Sequence, residues 1–229
     1  MLPDPVCLPT QEGGKIDVAG RKRLILIKHS EPSIDPGAPP NTWGLSEEGR
    51  RRSATLAARL RPYGPDVVLT SEEPKATETA RIVAGRLGLE FAIHPRLHEH
   101  DRTGAPFGTK GDFVRSARVF FENPEELVWS NETAEQAGER FSGAVDEILE
   151  RYPHRDVAVV THGTVITLFV ALLSRFDQGY STCSGYTGTL CLGQKAEGAR
   201  RPSLLYGLRR TWTKGPSSAS IHSLKTTAS

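Results

Sequence analysis

The chain has 229 residues, a mass of 25.0 kDa and a hydrophobic fraction of 37%. That is long enough for one core-bearing domain that needs no disulfide or metal staple, and its longest apolar stretch, Val165–Leu173, falls far short of the ~20 residues that span a bilayer. Its three cysteines, Cys7, Cys183 and Cys191, leave the body of the chain without a thiol, which argues against a cysteine nucleophile or a Cys-ligated zinc there and fits a reducing compartment.

The first 22 residues are polar and punctuated by Pro and Gly, with no apolar core of the secretory-signal kind, and read as a disordered or extended lead. Leu24–Ile27 is a continuous apolar run suited to a strand covered on both faces. Pro32, Pro36, Pro39 and Pro40 then forbid regular structure. Ser46 stands as a helix N-cap with Glu47 and Glu48 in the first turn, and this helix runs to about Leu60. Asp66–Thr70 is a second strand. Pro74 opens the next helix, in which Ala76, Ala80, Val83 and Leu87 keep helical spacing until Gly88.

A short strand at 91–94, a polar loop over 98–112 and a helix around 112–121 follow. Thr133 and Gln136 make a capping box for a helix that turns Ala137, Phe141, Ala144 and Ile148 inward. Val157–Thr161 is a third strong strand, and Gly163 opens an apolar helix. Strands alternating with helices define an α/β domain over 23–175, a mainly parallel sheet between helix layers.

Residues 176–229 differ. They carry seven Lys/Arg against two acids, whereas residues 1–175 carry 22 against 25, so the overall +2 conceals a basic end. Its charges are scattered among Ser, Thr and Gly rather than clustered as a nucleic-acid surface requires. The segment lacks the periodicity of a packed ending. It reads as an atypical, poorly ordered tail that leaves a sheet edge uncovered.

Three polar clusters directly follow the three strongest strands: Lys28-His29-Ser30-Glu31, Ser71-Glu72-Glu73-Pro74-Lys75 and His162-Gly163-Thr164. In an open α/β sheet, ligands bind beyond the carboxyl ends of the strands, beside helix N-termini. His29 and His162 can therefore share one rim with Lys28 and Lys75. Imidazoles, ammonium groups and a helix N-terminus suit an anion, and phosphate above others.

Four blocks taken in order, Lys28-His29-Ser30, Leu45-Ser46-Glu47-Glu48-Gly49, Ser71 to Ala80 and Thr161-His162-Gly163, resemble the histidine phosphatase, or phosphoglycerate mutase-like, superfamily. The resemblance implies the three-layer fold of that family and a phosphomonoester hydrolase working through a phosphohistidine. His29 would be the nucleophile. Lys28, Lys75 and His162 would neutralise the phosphoryl oxygens. Glu99, in Leu97-His98-Glu99, would be the general acid and later the base. No metal or other cofactor is implied. The chain departs from the family pattern in having lysine where arginine is usual at 28 and 75, and Ser30 where glycine is usual. An ammonium is a hydrated point charge and lacks the planar fork of a guanidinium.

Rival readings remain at this level. One is a mutase-type phosphoryl transfer, and another is a non-catalytic phosphate-binding or interaction protein with a degenerate pocket. His98, Glu99, His100 and Asp101, with His94 nearby, could also suggest a metal site, although no second cluster is placed to complete one. The reading adopted is a metal-independent, cytoplasmic phosphatase acting on a small phosphorylated substrate, with no nucleic-acid or membrane partner. Substrate identity and oligomeric state stay open.

Overall fold

In the computed structural model, residues 23–176 are described apart from 106, 107 and 130, together with the strands 180–185 and 189–194. The order of elements is β1 (Arg23–Lys28), α1 (Glu47–Leu60), β2 (Val67–Thr70), α2 (Pro74–Leu87), β3 (Phe91–Ile93), α3 (Lys110–Glu122), α4 (Ala134–Arg151), β4 (Val157–Thr161), α5 (Gly163–Phe176), β5 (Tyr180–Gly185) and β6 (Thr189–Gln194). The sheet order is β3-β2-β4-β1-β6-β5. β3, β2, β4 and β1 run parallel to one another, and β6 runs antiparallel to both β1 and β5.

Period-two alternation along the buried strands creates the layers. Leu24, Leu26, Leu69, Val157 and Val159 face one side, where they meet Phe141, Val145 and Ile148 of α4 and Val165 and Phe169 of α5. Ile25, Ile27, Val68, Ala158 and Val160 face the other, against Leu60 of α1 and Ala76, Ala80, Val83 and Ala84 of α2. Helices thus cover both faces of a mainly parallel sheet, as the sequence predicts. α3 packs separately, with Phe120 against Ala134, Ala137 and Leu168.

The helix termini follow local chemistry. The Ser46 hydroxyl accepts from Gly49 N, and Thr133 and Gln136 form a reciprocal capping box. Pro74 sits in the first turn of α2, and Gly88 ends that helix at φ 73°, a left-handed conformation that favours glycine. Gly49 is required for another reason: a Cβ there would lie 2.1 Å from the Glu31 carbonyl oxygen.

The expectation of an open sheet edge is corrected here. The short piece Leu190-Cys191-Leu192 lies within β6, where it pairs in register with Leu26, Ile25 and Leu24. The free backbone groups of β1 supply a template that local sequence does not reveal. The expectations for residues 1–22 and 195–229 lie outside the described residues.

Candidate active site

The carboxyl ends of β1, β2 and β4 deliver the three polar clusters to one rim. His29 N donates to Thr161 O at 2.8 Å and Ser71 N to Val160 O at 3.0 Å, so each cluster is fixed by the last rung of the sheet. The spacing of Lys75 and Thr79 inside α2 is also structural. Thr79, fully buried, accepts from Ser30 N at 3.0 Å and donates to Lys75 O at 2.7 Å, joining the turn after β1 to the start of α2.

An open cavity of about 840 Å³ lies at this rim, lined by Lys28, His29, Lys75, Glu99, Gly163 and Thr164 among others. His29 Nδ1 is 2.7 Å from Ser30 O; a carbonyl only accepts, so Nδ1 carries the proton and Nε2 keeps a lone pair. Burial pushes the His29 pKa down to about 4, assisted by the charges of Lys75 and Lys28, against the opposing effect of the Ser30 hydrogen bond. The ring is therefore neutral at physiological pH.

Glu99 faces the cavity with one carboxylate oxygen accepting from His100 N at 3.0 Å and the other from Thr164 N at 3.3 Å, at the first turn of α5. Its backbone is fixed as well, because Arg140 donates to the carbonyls of Arg96, His98 and Glu99. Arg140 is itself paired with Glu132 at 2.8 Å. Lys28 runs along Gly163 into the same cavity and makes no ion pair among the described residues.

Two of the expected residues are placed less simply. Lys75 lines the cavity, but its ammonium lies 2.6 Å from Glu73 Oε2 and donates to Pro40 O at 2.6 Å, with both side chains of the ion pair only 7% exposed. His162 is fully buried and packs edge-to-face on His29 with centroids 5.1 Å apart, behind the cavity wall. Its Nε2 lies 2.8 Å from Ser71 Oγ and 3.3 Å from Glu73 Oε1, while Nδ1 is buried without a partner among the described residues. Burial, then the nearby charges of His29 and Lys75, holds its pKa well below the ordinary histidine value.

Glu73 is the residue sequence reasoning missed. One carboxylate holds Lys75, receives Glu99 N at 2.7 Å and borders His162, so it ties three expected site residues together. In sequence it looks like one more solvated acid at a helix start.

The alternative metal cluster is committed to other hydrogen bonds. His98 Nδ1 is 2.8 Å from Glu99 O, and His100 Nε2 is 2.6 Å from Glu132 O. Asp101 Oδ1 accepts from Thr103 N and Asn131 Nδ2. Among the described residues, no group of three or more His, Cys, Asp or Glu is arranged to hold a metal. Nor is any described helix long and apolar enough to cross a membrane.

Comparison with known proteins agrees with the fold. The profile of the histidine phosphatase superfamily (branch 1) matches residues 35–189, well over half of the chain. The chain belongs to that superfamily. A probable phosphoglycerate mutase, GpmB, of Cronobacter sakazakii is 25% identical over 134 residues, covering 56% of this chain and 62% of the relative. The match thus spans less than two thirds of that relative's length.

Among solved structures, a mycobacterial glucosyl-3-phosphoglycerate phosphatase is 24% identical with a TM-score of 0.54, covering 67% of this chain and 80% of its own. A phosphoserine phosphatase of Entamoeba histolytica, solved with 3-phosphoglyceric acid, is 16% identical with a TM-score of 0.59, covering 77% and 98%. These two establish the shared α/β architecture.

Proposed function

We propose that the protein is a phosphomonoester hydrolase acting through a phosphohistidine at His29. The observation that carries this reading is the state of His29: neutral, with Nδ1–H held by Ser30 O and a bare Nε2 in a cavity that also holds cations and a carboxylate. A nucleophile with a free lone pair and a fixed ring needs no base to activate it.

His29 Nε2 attacks phosphorus as the ester P–O bond breaks, and protonated Glu99 gives its proton to the departing oxygen, releasing the alcohol. Water then attacks the phosphohistidine, Glu99 takes its proton, the P–N bond breaks and inorganic phosphate leaves. Lys28, Lys75 and the first turn of α5 neutralise the phosphoryl oxygens. His162, buried behind His29, supports the nucleophile by ring contact, and the edge-to-face geometry at 5.1 Å supports that role. The substrate is a small phosphorylated molecule.

The ion pair between Lys75 and Glu73 favours a second reading, a phosphate-binding protein without turnover, because the buried carboxylate already compensates one of the two lysines. A phosphatase screen over sugar phosphates, nucleotides and phosphopeptides, with His29→Ala as control, separates the two. Turnover lost in the variant supports the hydrolase. Phosphate binding with no turnover in either protein supports the second reading.

A further inference from the structure

The cavity has two chemically different halves. One carries Lys28, His29, Glu99 and the first turn of α5. The other is aromatic, formed by Phe113, Ala117 and Phe121 on one face of α3 and by Trp129 in the loop beyond it. Phe113 and Trp129 stack with centroids 5.8 Å apart and planes 20° apart, and the Arg102 guanidinium lies 5.1 Å and 5.5 Å from their centroids.

Buried groups brace this wall. Trp129 packs on Phe120 at 5.1 Å and on His100 at 5.4 Å, and both of those side chains are buried. His100 directly follows Glu99, so the wall is linked through the backbone to the candidate general acid. Yet Phe113 and Phe121 keep 47% and 37% of their surface exposed. Rigid aromatic faces left open inside a cavity are suited to an apolar or planar ligand group.

The polar atoms on this side are largely committed within the protein. Asp101 Oδ1 accepts from Thr103 N and Asn131 Nδ2, and Asp101 N donates to Glu132. A ligand rich in hydroxyl or amino groups would desolvate them against this face with few partners. A planar ring would instead stack on Trp129 and Phe113 and lie beside the Arg102 guanidinium, which makes no ion pair among the described residues.

We propose that Phe113, Phe121 and Trp129, with Arg102, form a subsite for the alcohol portion of the substrate, and that this portion is an aromatic or similarly large apolar group. For turnover the proposal rests on the hydrolase reading; for binding it stands alone. It sets this chain apart from the structural relatives whose names give a substrate, since phosphoserine and glucosyl-3-phosphoglycerate are strongly polar.

The test is calorimetric titration of the full-length chain with two non-hydrolysable probes, 1-naphthylmethylphosphonate and methylphosphonate. The naphthyl compound should bind at least about tenfold more tightly, the discrimination expected when an apolar group fills a matching pocket. The double substitution Phe113→Ser/Phe121→Ser, at half-exposed positions of α3 and with folding checked by circular dichroism, should reduce that ratio to about threefold or less. Equal affinities in the wild type, a ratio that survives the substitution, or no binding of either phosphonate would overturn the proposal. The ratio of kcat/KM for 1-naphthyl phosphate to that for phosphoserine should fall in parallel. Absence of turnover with the binding ratio intact removes the hydrolase reading and leaves the subsite standing.

Discussion

Removing the cation from the buried Glu73–Lys75 pair should be far more costly than removing both partners. The two side chains are each 7% exposed and meet at 2.6 Å. At an effective dielectric constant of ~20, unit charges at that distance attract by about 6 kcal/mol, most of which desolvation offsets. Lys75→Met leaves the Glu73 carboxylate buried with only the Glu99 amide and the edge of His162 as partners among the described residues. Loss of one partner of a buried pair costs about 3–5 kcal/mol, so the single variant should lose roughly 3 kcal/mol of unfolding free energy.

The double variant Glu73→Leu/Lys75→Met exchanges the pair for apolar groups of similar volume, and should recover most of that loss. The assay is equilibrium urea unfolding of the wild type, both single variants and the double variant, read as a double-mutant cycle. A coupling of about 2 kcal/mol or more is expected. A Lys75→Met cost under about 1 kcal/mol, the value typical of exposed pairs, would refute the claim that Glu73 holds Lys75 in a buried ion pair.

The depressed His29 pKa predicts that kcat/KM loses activity with an acid limb centred near pH 4, as the Nε2 lone pair is protonated; a limb near pH 6.5 would show an unperturbed imidazole. Both histidines have lowered folded-state pKa values, so the unfolded chain binds more protons between about pH 4 and pH 6.5. Stability is therefore fully present above pH 6.5 and falls as pH drops toward 4, and denaturant titrations across that window should show a shallower fall in His29→Asn. Gly49→Ala should destabilise by roughly 1–3 kcal/mol, because its Cβ would overlap the Glu31 carbonyl oxygen; an unchanged Tm would contradict that packing. Dialysis against a chelator should leave turnover intact, whereas loss restored by zinc or manganese would favour the His98, His100 and Asp101 cluster.

The fold was legible where local chemistry and tertiary structure agree. Leu24–Ile27 and Val157–Thr161 are apolar on both faces because helices cover both sides of the sheet, and Ser46, Thr133 and Gly88 mark helix ends by direct hydrogen bonding or backbone conformation. His29, Lys28 and Glu99 were legible because strand ends and a family pattern place them on one rim.

Glu73 was not, since its meaning comes from the chain segments at Glu99 and His162 that meet its carboxylate. The aromatic wall was equally hidden. Phe113 and Phe121 lie on a helix the sequence suggests, but Arg102 and Trp129, which pack on Phe113, lie in flanking loops without periodicity. β5 and β6 formed despite a Ser-, Thr- and Gly-rich sequence because the open edge of β1 supplied the pairing.

The central claim is a covalent bond between phosphorus and His29. Rapid mixing with a phosphomonoester labelled in its phosphate, followed by quenching in denaturant at alkaline pH, tests it directly. The account predicts protein-bound label that is stable in base, lost in acid, and absent from His29→Ala. Turnover that persists in His29→Ala, or label that maps to any other residue, would contradict it.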